Sequence, residues 1–152
     1  MFNKKGISAI VATVLIILIT VAAVTIIWAA IIPMVSNQLD EGNACLTATS
    51  QLSIGAAGYT CYDGTNLRVQ IKQGAKDSGL EDVQILYSTA GATETAYAGA
   101  ANVPGINEAK VVNFAVAAQP DSVSIAPIIT IGSAKKVCDI AATLPSVPPC
   151  AL

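Results

Sequence analysis

The sequence lacks several groups on which enzymes and nucleic-acid-binding proteins depend. It has no histidine, which removes the most common general base near neutral pH and a frequent zinc ligand. It has neither a Gly-rich phosphate-binding loop nor a Cys-x-x-Cys pair, and aromatic residues make up only 5% of the chain. The net charge is −2, with no basic patch. These absences predict a protein that is not an enzyme, has no cofactor or metal, and does not bind nucleic acid.

Charge is also missing from a long stretch near the N-terminus. Lys4 and Lys5 precede an apolar run, residues 7–35, that contains no charged side chain. As a helix this run would be ~43 Å long, at about 1.5 Å per residue, and would exceed a hydrocarbon core of ~30 Å. The lysines precede the run and the first acid, Asp40, follows it. This order predicts that the N-terminus lies inside and the C-terminus outside.

Three interpretations of the apolar run are open. A cleavable secretory signal has an apolar core of ~7–15 residues and a small-residue cleavage site. Here the core is about twice too long, and no such break occurs before about Leu39. A signal-anchor, which would hold an outer domain on a single helix, is compatible with the length and the flanking charges. The third interpretation depends on Gly6, which stands between the lysines and the apolar run.

The stretch KKGISAIVATVLIILITVAAV resembles the N-terminus of archaeal type IV pilins, which carry a class III signal peptide. The resemblance is close over about residues 3–40 and extends to the rest only in general layout. It implies that a prepilin peptidase cuts after Gly6 on the cytoplasmic side, and that Ile7 becomes the new N-terminus. Lys4 and Lys5 match the basic leader positions. A glycine before the cut lets an extended backbone enter a protease cleft.

The resemblance also implies what the apolar helix does. The helix is retained and forms the packed centre of a helical homopolymer, which an assembly ATPase and a membrane platform protein build from subunits in the cytoplasmic membrane. Val11 stands where bacterial pilins usually carry a glutamate, which argues against a bacterial pilin, whereas archaeal pilins commonly lack this acid. The residues expected in the filament core are Ile7, Ile10, Val11, Val14, Leu15, Leu18, Val21, Val24, Trp28 and Ile31.

After the apolar run the pattern changes to short strands. Leu67–Gln73 alternates apolar and polar residues, which predicts a half-buried strand with Leu67, Val69 and Ile71 on its inner face. Further strands are predicted at residues 45–54, 82–88, 109–117 and 123–131.

Two of these strands carry further signals. In 109–117 the inward residues are predicted to be Val112, Phe114 and Val116. In 123–131 Pro127 implies an edge strand or a bulge.

Short strands between Gly, Pro and Asn turns predict an antiparallel sandwich. The predicted fold class is therefore α+β. It comprises a cleaved leader over residues 1–6, a hydrophobic helix over 7–39 that continues past Pro33, and an extracellular β-rich head over 40–152.

Four cysteines, Cys45, Cys61, Cys138 and Cys150, all follow the apolar run. An even number of cysteines without histidine predicts disulfides formed in an oxidising, extracytoplasmic space. Of the three possible pairings we favour Cys45–Cys61 with Cys138–Cys150, because each closes a short loop.

Three further motifs are interpreted as surface loops. Ser133–Lys136 fits the Ser-x-x-Lys pattern of serine acyl-enzymes, but the companion motifs are missing and the serine does not open a helix. Asp63–Asn66 and Asp77–Gly79 have residues found in calcium loops, although Asp, Asn and Gly favour the same turns without an ion.

The sequence therefore predicts a structural subunit of an archaeal type IV pilus-like surface filament that serves adhesion or surface contact. The alternative is a single-pass, membrane-anchored binding module, or a minor or tip pilin, that does not polymerise. The position of Lys-Lys-Gly and a helix longer than a membrane requires favour the filament.

Overall fold

A computed structural model describes residues 9–55 and 58–151 of the chain. This part contains one α-helix, α1 (Ala9–Gln51), and a short 3-10 helix at Ala100–Asn102. Its strands are β1 (Leu52–Ile54), β2 (Cys61–Tyr62), β3 (Asn66–Gln73), β4 (Leu80–Thr89), β5 (Ala92–Tyr97), β6 (Ala109–Ala115), β7 (Ser122–Ile131), β8 (Ala134–Val137) and β9 (Ala142–Leu144). The predicted α+β class, a long N-terminal helix followed by antiparallel sheets, is confirmed. The chain divides into two compact units between Asp40 and Glu41, and we call the second unit the head.

Helix α1 continues past Pro33 as predicted, but it is longer than the sequence indicated. Its predicted end near Leu39 is wrong, and so is the predicted strand over 45–54, of which only β1 is extended. The last turns of α1 belong to the head, where Ala48 is 1% exposed and packs with Ile129 and Cys138. Burial against the sheet thus stabilises a helix in a Thr-rich segment of weak intrinsic helix propensity.

The first sheet is built around β3. Strand β6 pairs with the whole of one edge of β3, and β1 and β2 pair with opposite ends of the other edge, all antiparallel. The predicted inner residues Leu67, Val69 and Ile71 are each 0% exposed. The period-two pattern therefore identified this strand and its buried face correctly.

The second sheet has β7 at its centre. Strand β4 lies on one side of β7 with β5 beyond it, and β8 and β9 pair with opposite ends of the other side. Pro127 therefore lies on a central strand, and its predicted edge position is wrong. The proline fits because β8 and β9 leave a gap opposite it, where its carbonyl accepts a 2.9 Å hydrogen bond from the Cys138 N–H. A register shift does occur nearby in β4, between Leu80 and Asp82.

One hydrophobic core joins the two sheets. Inward residues of β3, β4, β6 and β7 belong to a single cluster, so the sheets pack face to face. The predicted inward positions Val112 and Val116 are 5% and 8% exposed. Phe114 is partly buried against the same cluster, with its ring centroid 5.4 Å from that of Tyr87.

The hydroxyl of Tyr87 donates a 2.5 Å hydrogen bond to Glu94 Oε2 across the β4–β5 pair. This bond, then burial, then the negative charge of Glu94 raise the pKa of Tyr87 above its ordinary value. The neutral phenol is therefore favoured more in the folded state. This contribution to stability is fully present below the unfolded-state pKa of about 10, and is lost as the pH rises through the folded-state pKa.

Replacing Glu94 with alanine is expected to lower the pKa of Tyr87 towards its ordinary value, because both the hydrogen bond and the carboxylate charge are lost. An alkaline titration followed by phenolate absorbance measures this shift. Tyr97→Phe removes an exposed tyrosine as a control for the assignment. An unchanged titration in Glu94→Ala would show that Glu94 does not set the pKa.

Candidate functional site

The candidate site is the surface of α1 up to Asp40. The exposed fractions of its large apolar side chains run from 45% at Val35 to 74% at Ile10. All predicted filament-core residues from Ile10 to Ile31 lie on this surface. Ile7 and the predicted processing residues Lys4, Lys5 and Gly6 lie outside the described residues. A continuous exposed apolar surface of this size marks a contact with a membrane or with another protein.

The helix has the length and composition to cross a membrane. Its most apolar 18-residue window has a mean hydropathy of 3.0, and none of that window is buried in the structure. A signal sequence can satisfy the same test of length and hydropathy. An apolar N-terminal helix of this kind can therefore act as a membrane anchor.

Three threonine hydroxyl groups in the apolar part of this helix are hydrogen-bonded within the helix. Thr13, Thr20 and Thr25 each donate a 2.9 Å hydrogen bond to the carbonyl three residues earlier. A buried hydroxyl without a partner would be costly in an apolar environment. With these bonds the three threonines are compatible with a surrounding of lipid or of other helices.

The structure pairs all four cysteines, which confirms the predicted disulfides, but the favoured pairing is wrong. The bonds are Cys45–Cys138 and Cys61–Cys150, with sequence separations of 93 and 89. Two long-range disulfides indicate that the head folds in an oxidising environment.

The pairing follows from where the four cysteines lie. Cys45 lies on the last turns of α1 beside Cys138, not on a strand near Cys61. Cys61 on β2 lies beside the C-terminal tail, where the Tyr62 N–H donates to the Pro148 carbonyl and the Cys150 N–H donates to the Tyr62 carbonyl. The tail is thus held against the first sheet, and its Val147 is 3% exposed in the main core.

Ion pairs accompany the Cys45–Cys138 bond. Lys136 on β8 pairs with Glu41 at the start of the head, and Lys135 pairs with Glu81 at 2.6 Å. The hydrogen bond and then the charge of Glu81 raise the pKa of Lys135. These side chains are substantially exposed, so each pair contributes little to stability compared with the disulfide.

The weaker motifs are accounted for by local structure. Ser133 lies in the turn before β8, so it does not open a helix as a serine acyl-enzyme motif requires. Asp63 Oδ1 accepts hydrogen bonds from the Asn66 and Thr65 N–H groups, which lower the pKa of Asp63, and Asp77 Oδ1 accepts one from the Gly79 N–H. Within residues 9–55 and 58–151, no three His, Cys, Asp or Glu side chains converge as a metal site would require.

Comparison with models of known protein families, with curated proteins and with solved structures finds no match to this chain. The chain is therefore characterised by two structural features of its own. These are a long, exposed apolar N-terminal helix and a β head closed by two long-range disulfides.

Proposed function

We propose that this chain is a structural subunit of an archaeal type IV pilus-like surface filament. A prepilin peptidase cuts it after Gly6, and copies then polymerise through α1 with the head on the outside. An assembly ATPase and a membrane platform protein drive polymerisation from the cytoplasmic membrane. The filament serves adhesion or surface contact.

The observation that carries the proposal is the length of the apolar part of α1. As a helix the apolar run of residues 7–35, most of which lies in α1, is ~43 Å long, at about 1.5 Å per residue. A hydrocarbon core of ~30 Å would cover all of it only at a tilt of ~46°, beyond the usual range of about 0–40°. A bundle of parallel copies can cover the whole length, which supports the filament over a lone anchor.

The energetics are consistent with driven assembly. Burying the apolar side chains of α1 away from water is worth on the order of tens of kcal/mol in total, so a finished bundle would not dissociate in water. A subunit in the bilayer already has an apolar surrounding, and its transfer into the bundle gains little of this energy. Extraction from the membrane therefore requires external work, which the assembly ATPase supplies.

The alternative is an anchored extracellular binding module, or a minor or tip subunit, that does not polymerise. Any single apolar helix of sufficient length would serve that role. The internally bonded threonines of α1 suit lipid as well as they suit a helical bundle.

Intact mass, N-terminal sequencing and electron microscopy of the protein from its native cell surface test the proposal. We expect a chain that begins at Ile7, retains α1 and is found in filaments. A chain that begins at Met1 in the membrane fraction would contradict the pilin proposal and favour the anchored module. A chain that begins after Val35 would identify a secretion signal.

A further inference from the structure

Helix α1 changes character at Trp28. Residues 9–27 are apolar on all sides, apart from three threonines that are bonded back to the helix. After Trp28 the polar residues return, but only on one side, since consecutive positions are turned by about 100° around a helix. Five of the six large apolar side chains from Trp28 to Leu39 fall within ~100° of one another, and we call this set the apolar stripe. The apolar stripe consists of Trp28, Ile31, Ile32, Val35 and Leu39.

The other side of this segment suits water. Apart from Met34, it carries small or polar residues, of which Ser36 and Gln38 lie nearest the stripe: Ala29, Ala30, Pro33, Ser36, Asn37 and Gln38. A proline has no N–H, so the carbonyl four residues earlier lacks its helical hydrogen-bond donor. For Pro33 this is the carbonyl of Ala29. That carbonyl lies on the polar side, where water can hydrogen-bond it.

The change occurs at the expected height of the outer membrane surface. Trp28 follows Ala9 by nineteen positions, or ~28 Å of helix, which matches a hydrocarbon core of ~30 Å. Tryptophan is enriched at the membrane–water interface, and Trp28 is the one tryptophan of the chain. With residues 9–27 in the bilayer, the rest of the apolar stripe lies above it.

We propose that the apolar stripe binds the same stripe of a second copy in the membrane, before any filament forms. The inference rests on the membrane orientation in the proposed function, and not on polymerisation. In a lone subunit Ile31, Ile32 and Leu39 would meet water with exposed fractions of 51%, 52% and 61%. Such an apolar surface above the bilayer marks a contact with another protein.

A second copy is the partner that fits. All copies have the same orientation in the membrane, so their helices are parallel and their stripes lie at the same height. Trp28, Ile31, Val35 and Leu39 follow one another at spacings of three or four residues, as in a parallel helix seam. The stripe has no charge, and Asp40 lies ~120° from its centre, so pairing brings no like charges together.

Cysteine cross-linking of the full chain in membranes tests the inference. Val35→Cys places a thiol at the centre of the stripe, and Asn37→Cys, the matched control, places one on the opposite side. Both are combined with Gly6→Leu, so that processing and filament formation are not required. We expect roughly tenfold more disulfide-linked dimer from Val35→Cys, because only the seam holds the two Cα atoms within the ~4.4–6.8 Å that a disulfide spans. Peptide mapping checks that Cys45–Cys138 and Cys61–Cys150 are retained.

Two results would overturn the inference. Equal cross-linking of the two variants would indicate random collision or packing on all sides, and no cross-linking of either would mean that lipid covers the stripe. Neither result tests processing after Gly6. The filament proposal is tested separately, by the N-terminal sequence of the wild-type chain.

A second measurement introduces no new cysteine, so it cannot disturb the native disulfides. Energy transfer between labelled copies in lipid vesicles reports their association. Ile32→Asn combined with Leu39→Asn should reduce it to the level expected from random mixing, because two stripe positions become polar. Ala30→Asn, on the other side of the helix, should leave it unchanged. Equal effects of the two changes would also overturn the inference.

Discussion

Replacing Gly6 with leucine is expected to leave the full chain uncleaved in the membrane and to eliminate filaments. The chain must enter a protease cleft in an extended form, and a side chain at the cleavage position obstructs this approach. We expect cleavage to slow by at least about a hundredfold, equivalent to ~2.7 kcal/mol of transition-state free energy. The retained Lys4 and Lys5 would also carry charge into a bundle that has no acid before Asp40 to pair with them.

Intact mass of the membrane fraction and electron microscopy of the cell surface measure both effects. Gly6→Ala is the matched control, because it adds a single methyl group and should slow cleavage far less. Abundant filaments built from uncleaved Gly6→Leu chains would contradict the proposed processing. Normal cleavage of this variant would show that Gly6 is not the residue before the cut.

Removing one disulfide, by Cys45→Ala with Cys138→Ala, is expected to destabilise the head by about 3.6 kcal/mol. On its own, a cross-link with a separation of 93 residues would contribute about 4.7 kcal/mol in the chain-entropy model. The two disulfides interleave along the chain, however. With Cys61–Cys150 in place, the loop that Cys45–Cys138 closes runs only through residues 45–61 and 138–150, or roughly 30 residues. The lower value follows from this shorter loop.

Thermal denaturation of the full chain followed by circular dichroism measures this loss, expected as a fall in Tm of about 10–20 °C. Cys61→Ala with Cys150→Ala is the matched comparison and should cost a similar amount, since it breaks the same pair of linked loops. Removing both bonds should cost about 8 kcal/mol, which approaches the whole stability of a domain of this size. Peptide mapping that finds Cys45 bonded to Cys61 would refute the pairing on which these values depend.

Two of the strands that the sequence identified, β3 and β6, have one buried face. β3 and β6 alternate apolar and polar residues, so their inner positions could be read from the period of two. β5 was missed because it has no such face: five of its six residues are exposed, and none is fully buried. Pro127 was misplaced because the gap between β8 and β9 that accommodates it is a property of the whole sheet.

The last turns of α1 contain a helical spacing of apolar residues, but other local residues predicted a helix end and a strand there. Asp40, Glu41 and Gly42 resemble a helix exit, and the threonines after Cys45 favour strands. Ala44, Cys45, Ala48 and Leu52 nevertheless recur at helical spacing, and the first three pack on the second sheet or its disulfide. The apolar surface of α1 was predictable from composition alone. The cysteine pairing was not, because it joins segments about 90 residues apart.

The interleaved disulfides also determine how the head responds to mechanical tension. A force applied between α1 and the C-terminal tail is carried by the shortest covalent path, which crosses from Cys45 to Cys138 and then follows the twelve residues to Cys150. At about 3.5 Å per residue, this path can extend to only ~42 Å. Without the disulfides, the same pull could draw out more than 100 residues, or ~370 Å of chain. The head is thus a nearly inextensible link between the end of α1 and the C-terminal tail.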